Sequence, residues 1–284
     1  MARAVRPAHL SSVWASRFEP MLASRPLASR PLVLLLDFDG TLAPMASVPG
    51  KAKLPVGTRR LLQALNRCPR VCLGLVSGRQ ITSLVECVGV RGLIYAGNHG
   101  LELRGRGHTF RHPAALRARP TLLRLVRRLR RDLAHTPNVW IQWKGLSCSI
   151  HWRLVPASAR PAMHRIIREV VREDARRGRV RVTAGKQVTE LRPPVQWNKG
   201  SIVSWLLGRT ASRGFRNPLV VYAGDDRTDE DAFRGVNRAG GVSIFVGPPE
   251  TTTAARYRLR DPREVAAWLR RVSRVVRREC RRER

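Results

Sequence analysis

Leu32-Val33-Leu34-Leu35-Leu36 carries no polar side chain and stops on Asp37. A run this short and this apolar cannot offer a face to water. It has to be covered on both sides, as a strand inside a parallel sheet is. The pattern recurs. Val71–Val76 stops at Ser77-Gly78-Arg79, residues 93–96 at Gly97, residues 219–223 at Gly224-Asp225-Asp226, and Val242–Val246 at Gly247. Between these runs the apolar positions take helical spacing, over residues 58–66, 80–87, 200–207, 229–236 and 263–278. Buried strands alternating with amphipathic helices predict an α/β chain with a doubly wound, Rossmann-like parallel sheet.

The middle of the chain has a different rhythm. Residues 115–133 form a long helical pattern, with Leu122, Leu125, Val126 and Leu129 on one stripe and arginines opposite. Two strand pairs follow, around Lys144-Gly145 and around Gly185, with an amphipathic helix between them. Adjacent strands joined by short turns are antiparallel, so this block reads as an α+β module inserted into the parallel domain. The organisation expected is a basic, disordered leader over residues 1–30, a core from residues 31–113 and 193–270, the insert over 114–192, and an Arg-rich tail over 271–284. Pro7, Pro20 and Pro26 interrupt any long helix in the leader. Its Arg- and Ser-rich composition is shared by organelle transit peptides and plain extensions, and both readings stay open.

Lys and Arg together number 54 against 20 Asp and Glu, a formal charge of +34. Such a balance favours contact with polyanions. The skew is almost wholly arginine, however, with only five lysines in the chain, and drift in composition explains that as well as selected basicity does. Five cysteines without a C-x-x-C pair read as buried, reduced thiols, hence a cytoplasmic setting. No stretch approaches the ~20 apolar residues of a membrane span, so no membrane partner is expected.

The chemistry gathers at strand ends, where open parallel sheets bind ligands. Asp37-Phe38-Asp39-Gly40-Thr41-Leu42 puts two carboxylates two residues apart directly after a buried strand, a pattern that can hold a hard cation and leave one oxygen to attack. Ser77-Gly78-Arg79 offers a hydroxyl and main-chain N–H groups to a phosphate, although Ser is equally a routine helix cap. Lys199 opens a helix and can balance both a phosphate and nearby carboxylates. Asp225, Asp226, Asp229, Glu230 and Asp231 crowd into seven positions. The helix dipole accounts for Asp229 and Glu230, but it leaves Asp225 at the strand end unexplained. Clustered carboxylates of this kind call for a compensating cation, and Mg²⁺ suits them.

Together these four motifs resemble the haloacid-dehalogenase-like phosphatases. Longer strings narrow the resemblance to the trehalose-6-phosphate phosphatase family over residues 31–270. They are the strings 95–102, 144–153, 190–200 and, most specific, 222–233 (Tyr-Ala-Gly-Asp-Asp-Arg-Thr-Asp-Glu-Asp-Ala-Phe). Trp143 and Asn198 depart from the family pattern. The resemblance implies a hydrolase core with the insert as a cap that closes over the site and reads the sugar. It implies that Asp37 attacks phosphorus and forms an aspartyl-phosphate, while Asp39 acts as acid and then base. Ser77 and Lys199 hold phosphate oxygens, and Asp229 positions Lys199 or a water. Mg²⁺ takes Asp37, the Asp39 carbonyl and Asp225. Candidates for reading the sugar are Asn98, His99, Lys144, Arg153 and Glu190. A solvated surface explains Lys144 and Arg153 as readily, and a structural role explains His99. Trp140, Trp143 and Trp152 fit the module's own core better than a stacking platform.

Three functions follow from this reading: a trehalose-6-phosphate phosphatase, a related sugar-phosphate phosphatase, or a nucleic-acid-binding protein on a retired phosphatase fold. Every expected catalytic position is filled, which sets the third below the others. Nucleic-acid contact is then expected only as non-specific binding by the basic tail. Oligomeric state is not legible.

Overall fold

The computed structural model describes residues 7–23, 30–45, 52–185, 187–211 and 215–282. The chain divides into two units, residues 1–109 with 197–284, and residues 110–196.

In the larger unit the apolar runs are strands. They comprise β1 (Ala8–His9), β2 (Leu32–Leu36), β3 (Val71–Val76), β4 (Ile94–Gly97) and β5 (Glu102–Gly105), with β6 (His108–Arg111) at the boundary. Beyond the insert come β11 (Leu219–Gly224), β12 (Val242–Val246) and β13 (Tyr257–Leu259). Their order is β1-β13-β12-β11-β2-β3-β4-β5-β6. The pairs from β1 through to β4 are parallel, with Leu34 opposite Leu73 on one side and Val221 on the other, and β5 returns antiparallel to β4. Every residue of β2, β3, β11 and β12 is buried. Side chains alternate across a strand, and Leu32, Leu34 and Leu36 share one core cluster with α2 (Val56–Asn66), α3 (Ile81–Val88) and α8 (Pro262–Arg282). α8 contributes Val265, Trp268, Leu269, Val272 and Val276, an apolar stripe at helical spacing. α6 (Lys199–Ala211) and α7 (Glu230–Arg238) pack on each other.

Three sequence expectations fail here. Residues 7–23 are not a disordered leader. Leu10, Trp14, Phe18 and Leu22 are buried in the same cluster, and Phe18 meets Trp268 edge to face, with ring centres 5.9 Å apart. These four lie four residues apart, a helical stripe that ends in α1 (Glu19–Ala23), and its burial outweighs the breaking effect of the prolines. The rest of the leader expectation lies largely outside the described residues. Likewise, residues 271–282 are no tail but the end of α8, held by buried Val272, Ser273, Val276 and Glu279. The cysteines also depart from the all-thiol expectation. Cys68 and Cys280 form a disulfide, while Cys72, Cys87 and Cys148 are free. The disulfide removes the cysteine argument for a reducing compartment. No described helix is long and apolar enough to cross a membrane.

The smaller unit holds α4 (Pro113–Asp132), β7 (Trp140–Trp143), β8 (Cys148–His151), α5 (Arg160–Arg176), β9 (Arg181–Gly185) and β10 (Val188–Arg192). Its strands run in the order β7-β8-β10-β9, all antiparallel. Leu122, Leu125, Val126 and Leu129 of α4 and Met163, Ile167 and Val170 of α5 cover Cys148, Ile150 and Leu191.

Candidate active site

Three parallel strands end side by side, and each carries its motif to the same edge. Asp37 follows β2 and donates its main-chain N–H to Ala223 O of β11 at 2.8 Å. Ser77 follows β3 and donates to Ala96 O of β4 at 2.9 Å. Asp225 follows β11. Gly40 turns the chain after Asp39 with φ +81°, and a Cβ there would sit 2.1 Å from Asp225 Oδ2. Only glycine lets the first motif approach the fourth so closely.

Lys199, at the first turn of α6, ties these loops together. Its Nζ donates to Asp37 Oδ1 and to Asp229 Oδ1, both at 2.7 Å. All three side chains are nearly inaccessible, at 3%, 5% and 0% exposure. Burial works against the lysine's charge, but Asp229 and Asp37 outweigh it and hold its pKa well above the ordinary range. Asp37 is pushed up by burial and by repulsion from Asp229 and Asp225, against the pull of Lys199. Asp225 is raised to about 7 by burial and by Asp229. The Asp229 carboxylate is fully engaged. Oδ1 also accepts from Tyr222 Oη at 2.5 Å, and Oδ2 accepts the Asp226 N–H at 3.0 Å. Asp229 is thus an anchor for Lys199.

One oxygen from each of Asp37, Asp225 and Asp229 lies within 4.8 Å of the others. Three carboxyls share one ammonium in a place largely withdrawn from water, and burial together with their mutual repulsion raises Asp37 and Asp225. An oxygen-rich cluster of that size, whose repulsion a cation would relieve, is a donor set that a divalent ion of the Mg²⁺ type could take. Asp229 is committed to Lys199 and Tyr222, which leaves Asp37 and Asp225 as the carboxyls that could hold one.

Asp39 is differently placed. Its Oδ2 and Oδ1 accept from Arg79 Nε and NH2, both at 2.6 Å, in a bidentate pair whose side chains are 27% and 12% exposed. Arg79 also lies over the Phe38 ring, 5.3 Å from its centre. Its main-chain N–H donates to Ser77 Oγ at 3.2 Å. Ser77 and Arg79 therefore form one turn that touches both the expected phosphate seat and the expected acid–base.

Asn98 and His99 both adopt positive φ, 51° and 57°. Asn98 Nδ2 donates to Glu102 Oε1 at 2.7 Å, and that oxygen also accepts the Ile81 N–H at 3.0 Å. The His99 ring lies so near Gly78 that a Cβ there would meet its Cε1 at 2.6 Å. In the smaller unit, Lys144 Nζ and Ser149 Oγ both donate to Glu190 Oε1, at 3.2 and 3.1 Å. Arg153 stands apart from that cluster and donates to Gln187 Oε1 at 3.1 Å.

Sequence reasoning missed Arg79 as a partner of Asp39 and Tyr222 as a partner of Asp229. Both residues stand inside quoted motifs, so position was the available signal. Asn198 is explained by the fold. Its Oδ1 accepts the Ser201 N–H at 2.9 Å as the cap of α6, and its Nδ2 donates to Asp231 at 2.7 Å.

Comparison with known proteins follows the same lines. The trehalose-phosphatase family model matches residues 35–263. A trehalose-phosphate phosphatase of Mycobacterium tuberculosis is 36% identical over 256 residues, which cover 88% of this chain and 63% of that protein. A trehalose 6-phosphate phosphatase of Zea mays is 30% identical over 273 residues, covering 91% of this chain and 73% of the relative. A solved structure titled as a trehalose-6-phosphate phosphatase related protein superposes with a TM-score of 0.73 at 26% identity, over 86% of this chain and 97% of the other. The chain therefore spans somewhat less than two thirds of the length of the mycobacterial relative.

Proposed function

The chain belongs to the trehalose-phosphatase family, and from that premise we propose that it hydrolyses trehalose 6-phosphate to trehalose and phosphate. The observation that carries this reading is the Asp37–Lys199–Asp229 bridge beside Asp225, at one edge of three parallel strands.

In the proposed reaction Asp37 attacks the phosphorus while the bond to the sugar oxygen breaks, giving a phosphorylated aspartate and splitting one hard step into two. Asp39 supplies the proton that the leaving oxygen takes up. It then accepts one from the water that cleaves the acyl phosphate, so phosphate leaves and Asp37 is restored. Lys199 holds Asp37 in place from one side, and its ammonium faces the charge that builds on the phosphoryl oxygens. Ser77 offers its hydroxyl to those oxygens. Mg²⁺, held by Asp37, Asp225 and the Asp39 carbonyl, would lower the repulsion between an anionic nucleophile and an anionic phosphate. Arg79 engages both oxygens of Asp39, so this pair has to part before the leaving sugar oxygen can reach the carboxyl. We assign the smaller unit the part of a cap, with the Lys144–Glu190–Ser149 cluster reading sugar hydroxyls.

The test is phosphate release over a panel of sugar phosphates with Mg²⁺ present. Trehalose 6-phosphate should be turned over far faster than sucrose 6-phosphate or glucosyl-3-phosphoglycerate, and Asp37→Asn should abolish turnover. Comparable rates across the panel would reject the substrate and keep the reaction; activity in Asp37→Asn would reject the mechanism.

A further inference from the structure

The larger unit carries a second charged constellation, remote from its carboxylates. α2 ends at Asn66, and Arg67 and Arg70 lie in the turn that leads into β3. They line one side of a hollow of about 530 Å³ whose other side is Arg277 and Arg281 of α8, with both Cys68 and Cys280 of the disulfide in its lining. The hollow continues into another of about 440 Å³, lined by Arg277 and Arg281 again and by Arg274, Arg278 and Arg282. Among the described residues, no acidic side chain lines either one.

Three observations set this channel apart from the general excess of arginine. The first hollow takes its cations from two segments, more than two hundred residues apart in sequence, that a disulfide clamps together, and the second extends it as an open surface along α8. Of the acids of α8, Glu279 pairs with Arg282 alone and Glu264 is committed to Arg260 and His9, so Arg274, Arg277, Arg278 and Arg281 have no acid of α8 against them. Finally, Arg67 and Arg70 precede β3, whereas the catalytic loops follow strand ends, so the channel lies at the opposite edge of the sheet and cannot serve the phosphate seat. The helix dipole explains basic residues in the last turn of α8 but not Arg67, Arg70 or Arg274.

We propose that this channel is a second, non-catalytic site that docks the phosphate backbone of duplex nucleic acid without reading its sequence. Guanidinium groups pair with phosphates bidentately. Seven exposed arginines lie between Arg270 and Arg282, along about 18 Å of helix. Duplex DNA presents a phosphate for every ~1.7 Å of its axis, about ten over that length, so phosphates are close enough together for each arginine to meet one. A single strand would call for aromatic stacking platforms, and neither hollow has one. A lipid surface would call for apolar side chains to insert. The apolar stripe of α8 is buried in the core, and none of the large hydrophobic residues exposed among the described residues belongs to α8.

The experiment measures binding of the full chain to a labelled duplex by anisotropy across a salt series. The variant is Arg274→Glu/Arg278→Glu/Arg281→Glu. The control is Arg165→Glu/Arg168→Glu/Arg172→Glu, three exposed arginines of α5, which makes the same change in net charge. Each lost phosphate contact lowers the slope of log K against log salt by about 0.9. The channel variant should therefore lose about 2.7 from the slope and bind at least ~10-fold more weakly near 100 mM salt. The control should bind as the unaltered chain does. Phosphate release from trehalose 6-phosphate should persist in the channel variant and be unaffected by added duplex, which also separates this inference from the proposed reaction. Equal losses in variant and control would overturn the site in favour of diffuse charge. Binding to vesicles of equal phosphatidylserine and phosphatidylcholine with none to duplex would overturn the ligand. Should the glutamates disturb folding, the matching glutamines must still weaken binding, and unaltered binding by them overturns the site.

Discussion

Lys199→Met tests whether the buried lysine is an electrostatic keystone. Methionine keeps an unbranched apolar stem and removes the ammonium. Asp37 and Asp229, 5% and 0% exposed, then face each other with no cation between them. Removing one partner of a buried ion pair costs about 3–5 kcal/mol, because the other charge is left uncompensated. Here two carboxylates are stranded, so the upper part of that range applies until one of them takes up a proton. The sign follows from the pKa of Asp37, already raised in the folded protein. A carboxyl whose folded pKa is raised favours the folded state below its unfolded value, and this contribution is lost as pH rises through the folded value. Lys199→Met should therefore be destabilised most at pH 8 and recover toward pH 5. Urea unfolding of the chelator-treated protein at the two pH values measures this. Adding Asp229→Asn should restore at least ~1.5 kcal/mol at pH 8, since it removes one stranded charge. A loss below ~1 kcal/mol at pH 8, or one independent of pH, is how a surface lysine behaves and would refute the keystone role.

Arg79→Ala should cost about 1.5–3 kcal/mol through loss of the charged pair with Asp39 and should change the rate of phosphate release; unaltered kinetics would separate Asp39 from the chemistry. Gly40→Ala, with a Cβ 2.1 Å from Asp225 Oδ2 and φ at +81°, should lower both stability and Mg²⁺-dependent turnover, read by thermal melting and phosphate release. Cys280→Ser opens a disulfide that closes a long loop, and should lower stability by about 2–4 kcal/mol in urea, with retained activity. His151, pulled down to about 4 by burial and by Lys144, favours folding above the unfolded histidine value, an advantage lost as pH falls toward 4; His151→Gln should blunt the acid sensitivity of melting.

The sheet and the acids of the site are legible in the sequence for a common reason: each is written in contiguous residues. β2 is a five-letter apolar word with Asp37 behind it, and Asp225 follows β11 in the same way. Lys199 was readable as a site residue because lysine is scarce here. What escaped was pairing across distance. Nothing near Asp39 announces that Arg79, forty residues on, will grip both its oxygens, and nothing near Cys68 announces Cys280. Residues 7–23 differ from the sequence expectation for another reason: Leu10, Trp14, Phe18 and Leu22 recur every four residues, and burying that stripe outweighs the arginine and proline content around it. The residues reading the sugar remain expectations, because Lys144, Arg153 and Glu190 belong to the smaller unit and their chemistry depends on a substrate.

The insertion of residues 110–196 into the larger unit sets an order for synthesis on the ribosome. The smaller unit is continuous, so all of its parts are available to one another once residue 196 has emerged. The larger unit is split: β2 and β3 are made early, but β11, which must lie against β2, begins at residue 219, and α8, which covers the early strands, starts at residue 262. The nascent chain therefore leaves the edge of β2 that faces β11 unpaired while nearly two hundred further residues are added, the interval in which unpaired strand edges aggregate. A cell making this protein should depend on chaperone occupancy of residues 32–36 and 71–76 during elongation, and pausing after residue 196 should harm the larger unit while sparing the smaller.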